Sequence, residues 1–89
     1  LLIVGDYLMS ENCEKIIMEI VEMALKLETG ALQSDSDSDS IAEWDSLGHL
    51  GVLVALDKHF NGSVSSISKM ADANSIQAIS AALKEHGLC

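Results

Sequence analysis

The tripeptide Asp45-Ser46-Leu47 opens the most apolar run of the chain. A serine at a helix start can do particular chemistry. The unpaired backbone N–H groups and the positive end of the helix dipole favour a phosphate on its oxygen. A position at the end of a loop also lets another enzyme reach it. Asp45 has the chemistry of an N-cap. Both residues could equally be ordinary capping residues, since such a tripeptide is common by chance. Ser46 and His49 stand at i, i+3, a spacing open to a nucleophile and a base. No third group or oxyanion hole is evident, and 89 residues leave little room for a substrate pocket. The expectation is therefore a protein without catalysis of its own. His59 and His86 are dispersed, and no Cys/His pairing has zinc-finger spacing. Cys13 and Cys89 allow at most one bridge, and free thiols in a reducing cytoplasm are the simpler expectation.

The repeat Ser34-Asp35-Ser36-Asp37-Ser38-Asp39-Ser40 invites a calcium interpretation. Asp35, Asp37 and Asp39 match positions 1, 3 and 5 of an EF-hand loop. The match then fails, because position 6 needs glycine and is Ser40, and position 12 needs a bidentate acid and is Ser46. No metal site is expected. A solvated acidic loop suits the repeat better, since short polar side chains compete for their own backbone.

Around these groups the pattern predicts an all-α fold: a small bundle of three main helices, a short helix between the second and the last, and a long loop after the first. Helix one is predicted from Glu11 to Glu28, with Ser10 as N-cap and Gly30 as terminator. Ile16, Ile17, Ile20, Ala24 and Leu27 form its apolar stripe, with Glu19, Glu22 and Lys26 off it. Residues 31–44 are predicted as a mobile loop. Helix two is predicted from Ser46 to Phe60 and is apolar almost all round, so it is either buried or shows apolar surface to a partner. On an ideal wheel Leu50, Leu53, Leu56 and Phe60 share a side that looks like core. Leu47, Gly51, Val54 and Lys58 form a second strip that runs away from Ser46. Asn61-Gly62 ends this helix, Val64 and Ile67 plug the core, and a short turn spans Ser68 to Ala71. Helix three is predicted from Ser75 to His86, with Asn74 and Gln77 at capping-box spacing and Gly87 at its end. Its stripe is Ile76, Ile79, Ala82 and Leu83.

Composition narrows the partners. Proline is absent, and one Trp, one Tyr and one Phe are the only such aromatics, which favours helices over short strands. Fourteen acidic and five basic residues give a formal charge of −9. That argues against nucleic acid and against an anionic membrane surface, and suits docking onto basic patches of other proteins. No apolar run approaches the ~18 residues of a membrane span. Leu1-Leu2-Ile3-Val4 lacks the basic region and cleavage pattern of a signal peptide. Residues 1–9 are set apart as an N-terminal extension, vector-derived or upstream, and residues 10–88 as the domain. A monomer in the cytoplasm is expected.

The segment from Trp44 to Phe60 resembles the second helix of acyl carrier proteins. In that family the modified serine sits in an Asp-Ser-Leu motif that opens the helix. An apolar residue follows four positions later and a phenylalanine closes the helix fourteen later, as Leu50 and Phe60 do here. From Ser10 to Leu88 the rest matches mainly in pattern. The resemblance implies a non-enzymatic carrier with 4′-phosphopantetheine on Ser46, installed from coenzyme A by a phosphopantetheinyl transferase. It implies that Asp45 helps place the metal used in that transfer. Acyl or aminoacyl cargo would ride as a thioester, delivered by a loading ligase and consumed by downstream biosynthetic enzymes. Leu47, Gly51 and Val54 fall where partners would touch. Fatty-acid-type carriers are acidic where Gly48 and Gly51 stand, so the implied carrier serves a specialised pathway. The alternative is an unmodified helical interaction module in which Ser46 is only a cap.

Overall fold

The computed structural model describes the backbone of residues 2–88 and the side chains of residues 13–88. Within them the chain forms α1 (Leu2–Leu25), α2 (Ser46–His59), a 3-10 helix η1 (Ser68–Asp72) and α3 (Ile76–Glu85). This is the small all-α bundle that the pattern predicts. α1 is the central element and packs against both α2 and α3, while η1 packs against α3. None of the described helices is long and apolar enough to cross a membrane.

The helix boundaries follow from local chemistry, and several differ from the periodicity. α1 begins at Leu2, so it already runs through Ser10, which is not its N-cap. It ends at Leu25 rather than Glu28. Lys26 takes the left-handed conformation at φ 60°. The Leu27 N–H donates to the Glu22 carbonyl at 2.8 Å and the Lys26 N–H to that of Met23 at 3.2 Å, a Schellman closure. Gly30 therefore lies beyond the stop. The same closure ends α2, where Asn61 is left-handed and the Gly62 N–H donates to Asp57 O at 2.8 Å. It ends α3 as well, where Gly87 is left-handed and the Leu88 N–H donates to Leu83 O at 2.9 Å. At the start of α3 the cap is Ser75, not Asn74. Its hydroxyl accepts from the Ala78 N–H at 3.0 Å.

The core gathers Ile17, Val21 and Leu25 from α1, Val52 and Leu56 from α2, and Ile76, Ile79 and Leu83 from α3. Val64, Ile67 and Met70 close it from the segment between α2 and α3, and Leu32 and Trp44 close it from the long loop. Ile76, Ile79, Ala82 and Leu83 are buried, as their spacing predicts, and so are Val64 and Ile67. Ile17 is buried on α1, but Ile16, Ile20, Ala24 and Leu27 are only partly so. Cys13, Val21 and Leu25 complete the inner row instead. Cys13 is disulfide-bonded, which overturns the free thiol expected there. Cys89 lies outside the described residues.

Two further differences concern polar groups. Glu22, expected off the apolar stripe, is only 6 % exposed. One oxygen of its carboxylate accepts from the Gly30 N–H at 3.0 Å and the Leu32 N–H at 3.1 Å. The chain doubling back after α1 carries these donors inward, and a buried donor must be paired. The Ser-Asp loop is also tethered, where a mobile segment is expected. The Ser38 N–H donates to Asn74 O at 2.9 Å, and the Ile76 N–H donates to Ser36 O at 3.1 Å. These bonds join the loop to the entry of α3.

Candidate functional site

Asp45 leaves the loop in extended conformation, and its carboxylate accepts from the Gly48 N–H at 2.7 Å. This is the predicted N-cap, and it makes Ser46 the first residue of α2. Ser46 is exposed. Its neighbours are set by close packing at Gly48. A Cβ built there would collide with the Glu43 carbonyl oxygen and come within 2.9 Å of Leu25 Cδ2. Only glycine lets the first turn of α2 lie this close to the preceding loop and to the end of α1.

Behind Ser46 lies a pair of buried rings. Trp44, 2 % exposed, donates from Nε1 to His49 Nδ1 at 3.0 Å. His49 Nε2 lies 2.9 Å from the Met70 carbonyl. An indole nitrogen can only donate, so Nδ1 accepts and the proton of a neutral ring sits on Nε2, where it donates to Met70. The rings stack with centroids 6.3 Å apart and planes inclined by 25°. Both nitrogens of His49 are thus committed to holding the loop, α2 and η1 together. The general-base partnership with Ser46 raised by the i, i+3 spacing has no nitrogen left to work with.

This pair also fixes the rotation of α2. The buried row is His49, Val52 and Leu56, not the predicted Leu50, Leu53, Leu56 and Phe60. Leu53 and Phe60 are partly buried against the core, but Leu50 is 57 % exposed. A helix apolar on nearly every side carries little rotational information. The bonds of His49 to Trp44 and Met70 supply it. The second predicted strip is exposed throughout: Leu47 at 78 %, Val54 at 55 %, with Gly51 and Lys58 beside them. With Leu50, Ala24 and Ala55 these residues line a shallow depression on the α1–α2 side. Leu47, Gly51 and Val54 therefore share one face, which also begins at Ser46.

A second depression, of about 430 Å³, adjoins Ser46 on the other side. Ser38, Trp44, Asp45, Ser46, His49 and Asn74 contribute to its walls. A third, apolar groove lies between α2 and η1, with Leu53, Val54, Val64, Ile67 and Met70 along it. Among the described residues no three histidine, cysteine or acidic side chains converge as a metal site requires. Asp37 instead accepts from the Ser40 N–H at 3.0 Å within the loop.

The roles that spacing did not single out are those of Trp44, of His49 as its partner, of Glu22 as a buried acceptor and of Asn74 as the tether of the Ser-Asp loop. The chain's single tryptophan standing directly before the Asp45 cap was the available signal for the first two. Glu22 had none, because its donors belong to an irregular loop. No family model, curated protein or solved structure matches the chain.

Proposed function

We propose that this chain is a carrier domain that holds acyl or aminoacyl cargo as a thioester on a 4′-phosphopantetheine arm attached to Ser46. One observation carries the proposal. Ser46 is exposed as the first residue of a capped helix, and an exposed apolar face formed by Leu47, Gly51 and Val54 starts beside it. A phosphodiester at that position gains from the helix dipole and from unpaired backbone donors. The apolar face offers partners a docking surface next to the attachment point, so one encounter can both recognise the domain and reach the arm.

The partners implied are a phosphopantetheinyl transferase using coenzyme A, a ligase that loads the cargo, and downstream biosynthetic enzymes. Asp45 is occupied as a cap through one carboxylate oxygen. The other remains for the metal of the transferase reaction. In this reading the transferase supplies the acid and base, and His49, bonded to Trp44 and Met70, takes no part. The setting is a specialised rather than housekeeping pathway, because the exposed Gly51, Lys58 and His59 of α2 stand where fatty-acid-type carriers present acid.

Coexpression with a phosphopantetheinyl transferase followed by intact mass measurement tests the proposal. The expected result is a gain equal to the mass of the arm, abolished in Ser46→Ala. No gain with several transferases, or an equal gain in Ser46→Ala, overturns it. The exposed leucine and valine face also suits an unmodified interaction module. That alternative predicts binding to a protein partner that survives Ser46→Ala and is lost in Val54→Asp.

A further inference from the structure

We propose, building on the carrier reading of Ser46, that the depression between the Ser-Asp loop and the entry of α3 is a docking site for the amide-bearing linker of the arm. Ser46 is itself part of the wall, so any group on its oxygen begins at the rim. The pantetheine portion carries two amides separated by methylenes and a branched carbinol. It needs hydrogen-bonding groups alternating with flat apolar contact. Residues of both kinds line the depression: Ser38 and Asn74 carry a hydroxyl and a carboxamide, and Trp44, His49 and Ala71 supply ring and methyl surface.

The neighbouring groove between α2 and η1 is the competing location. Its lining is mostly apolar, with Leu53, Val54, Val64, Ile67 and Met70; of its polar side chains, Asp57 already accepts from the Ser65 N–H and the Ser65 hydroxyl donates to Gly62 O, which leaves Ser68. An amide placed against it would lose water and gain few partners, which disfavours it. Ala71 lines both openings, so the two are adjacent and chemically distinct. The linker belongs to the polar one.

The polar depression is also built before anything binds. Its base is held by the bonds from Trp44 to His49 and from His49 to Met70. Its edge is held by the Ser38 N–H bond to Asn74 O and the antiparallel bridge between Asp37 and Ser75. A preformed site spares a flexible ligand part of the ordering cost of binding. The backbone tether also leaves the Asn74 side chain out of the fold's own bonding pattern, so Asn74→Ala is expected to fold.

The test uses the whole 89-residue chain converted by a transferase and checked by intact mass. The protein is labelled with ¹³C and ¹⁵N and the arm is unlabelled. Isotope-filtered nuclear Overhauser spectra then report which protein protons lie against the arm. Cross-peaks are expected to the Trp44 indole, the Ala71 methyl and the Asn74 carboxamide. In Asn74→Ala those to Trp44 and Ala71 should fall at least severalfold, with the remaining spectrum unchanged. Converted protein whose arm gives cross-peaks only to Leu53, Val54 and Ile67, or none at all, overturns the docking site and leaves the carrier reading standing. Failure to gain mass overturns both.

Discussion

Gly48 and Gly51 sit one turn apart on the same helix, and the structure assigns them opposite responses to the same substitution. Each glycine costs a helix interior about 1 kcal/mol relative to alanine. At Gly51 a new Cβ would find its nearest neighbour, the Ala24 carbonyl, at 3.9 Å, an ordinary contact. Gly51→Ala should therefore recover most of the propensity, about 0.5–1 kcal/mol. At Gly48 the same Cβ meets the Glu43 carbonyl, which is backbone and cannot rotate aside. It also approaches Asp45 Oδ1 to 3.3 Å. Overpacking of this kind costs about 1–3 kcal/mol, and disturbing the Asp45 cap adds about 1 kcal/mol more. After the propensity gain of about 1 kcal/mol is subtracted, Gly48→Ala should be destabilised by roughly 1–3 kcal/mol. For a domain of this size 1 kcal/mol moves Tm by about 4–8 °C. Thermal unfolding followed by circular dichroism should then show Gly51→Ala melting a few degrees above the parent and Gly48→Ala clearly below it. A Gly48→Ala protein as stable as Gly51→Ala would refute the close approach at Glu43. The result also bears on function, because a side chain excluded by internal packing at position 48 carries no message about partners.

Other substitutions probe separate bonds. Asp45→Ala removes the cap of α2 and should cost about 1 kcal/mol in urea unfolding, while Asp45→Asn, which keeps an acceptor, should cost much less. Trp44→Phe leaves His49 Nδ1 without its donor and the core underfilled. A loss of about 2–4 kcal/mol is expected by the same measurement. Glu22→Ala strips two backbone donors of their acceptor and should cost about 2–4 kcal/mol, with amide exchange at Leu32 accelerated; Glu22→Gln should retain part of this. Val54→Asp lies on the exposed face, so Tm should shift by only a few degrees. The rate of arm attachment by a transferase should fall about tenfold or more if that face is the docking surface.

How far the sequence discloses this structure depends on how much each element relies on its own residues. α3 has a clean amphipathic stripe, and Ile76, Ile79, Ala82 and Leu83 are buried as their spacing requires. Val64 and Ile67, isolated apolar residues in a polar stretch, are equally legible. α2 is not, because leucine and valine surround it and a histidine sets its rotation through bonds to residues five before and twenty-one after it. Glu22 is illegible for a similar reason: its burial is dictated by donors eight and ten residues away. Ser75 takes the cap from Asn74 because Ile76 must also donate to Ser36 O, a cross-chain tether that no local motif encodes. At the site itself Asp45 as cap, Ser46 as exposed first residue and the face of Leu47, Gly51 and Val54 were all accessible from spacing. The paired rings beneath them were not.

Those rings have an optical consequence. The chain holds one tryptophan, Trp44, and it lies two residues before Ser46 with its indole N–H bonded to an imidazole. Indole emission responds to its hydrogen-bond partner and to the packing around it. Selective excitation of the indole therefore samples the surroundings of Ser46 and no other part of the protein. Events at the serine, including attachment of a group and its settling against the neighbouring wall, have an intrinsic fluorescent reporter that needs no label. The same emission, altered when Trp44 and His49 part, follows unfolding at the point where the candidate site is assembled.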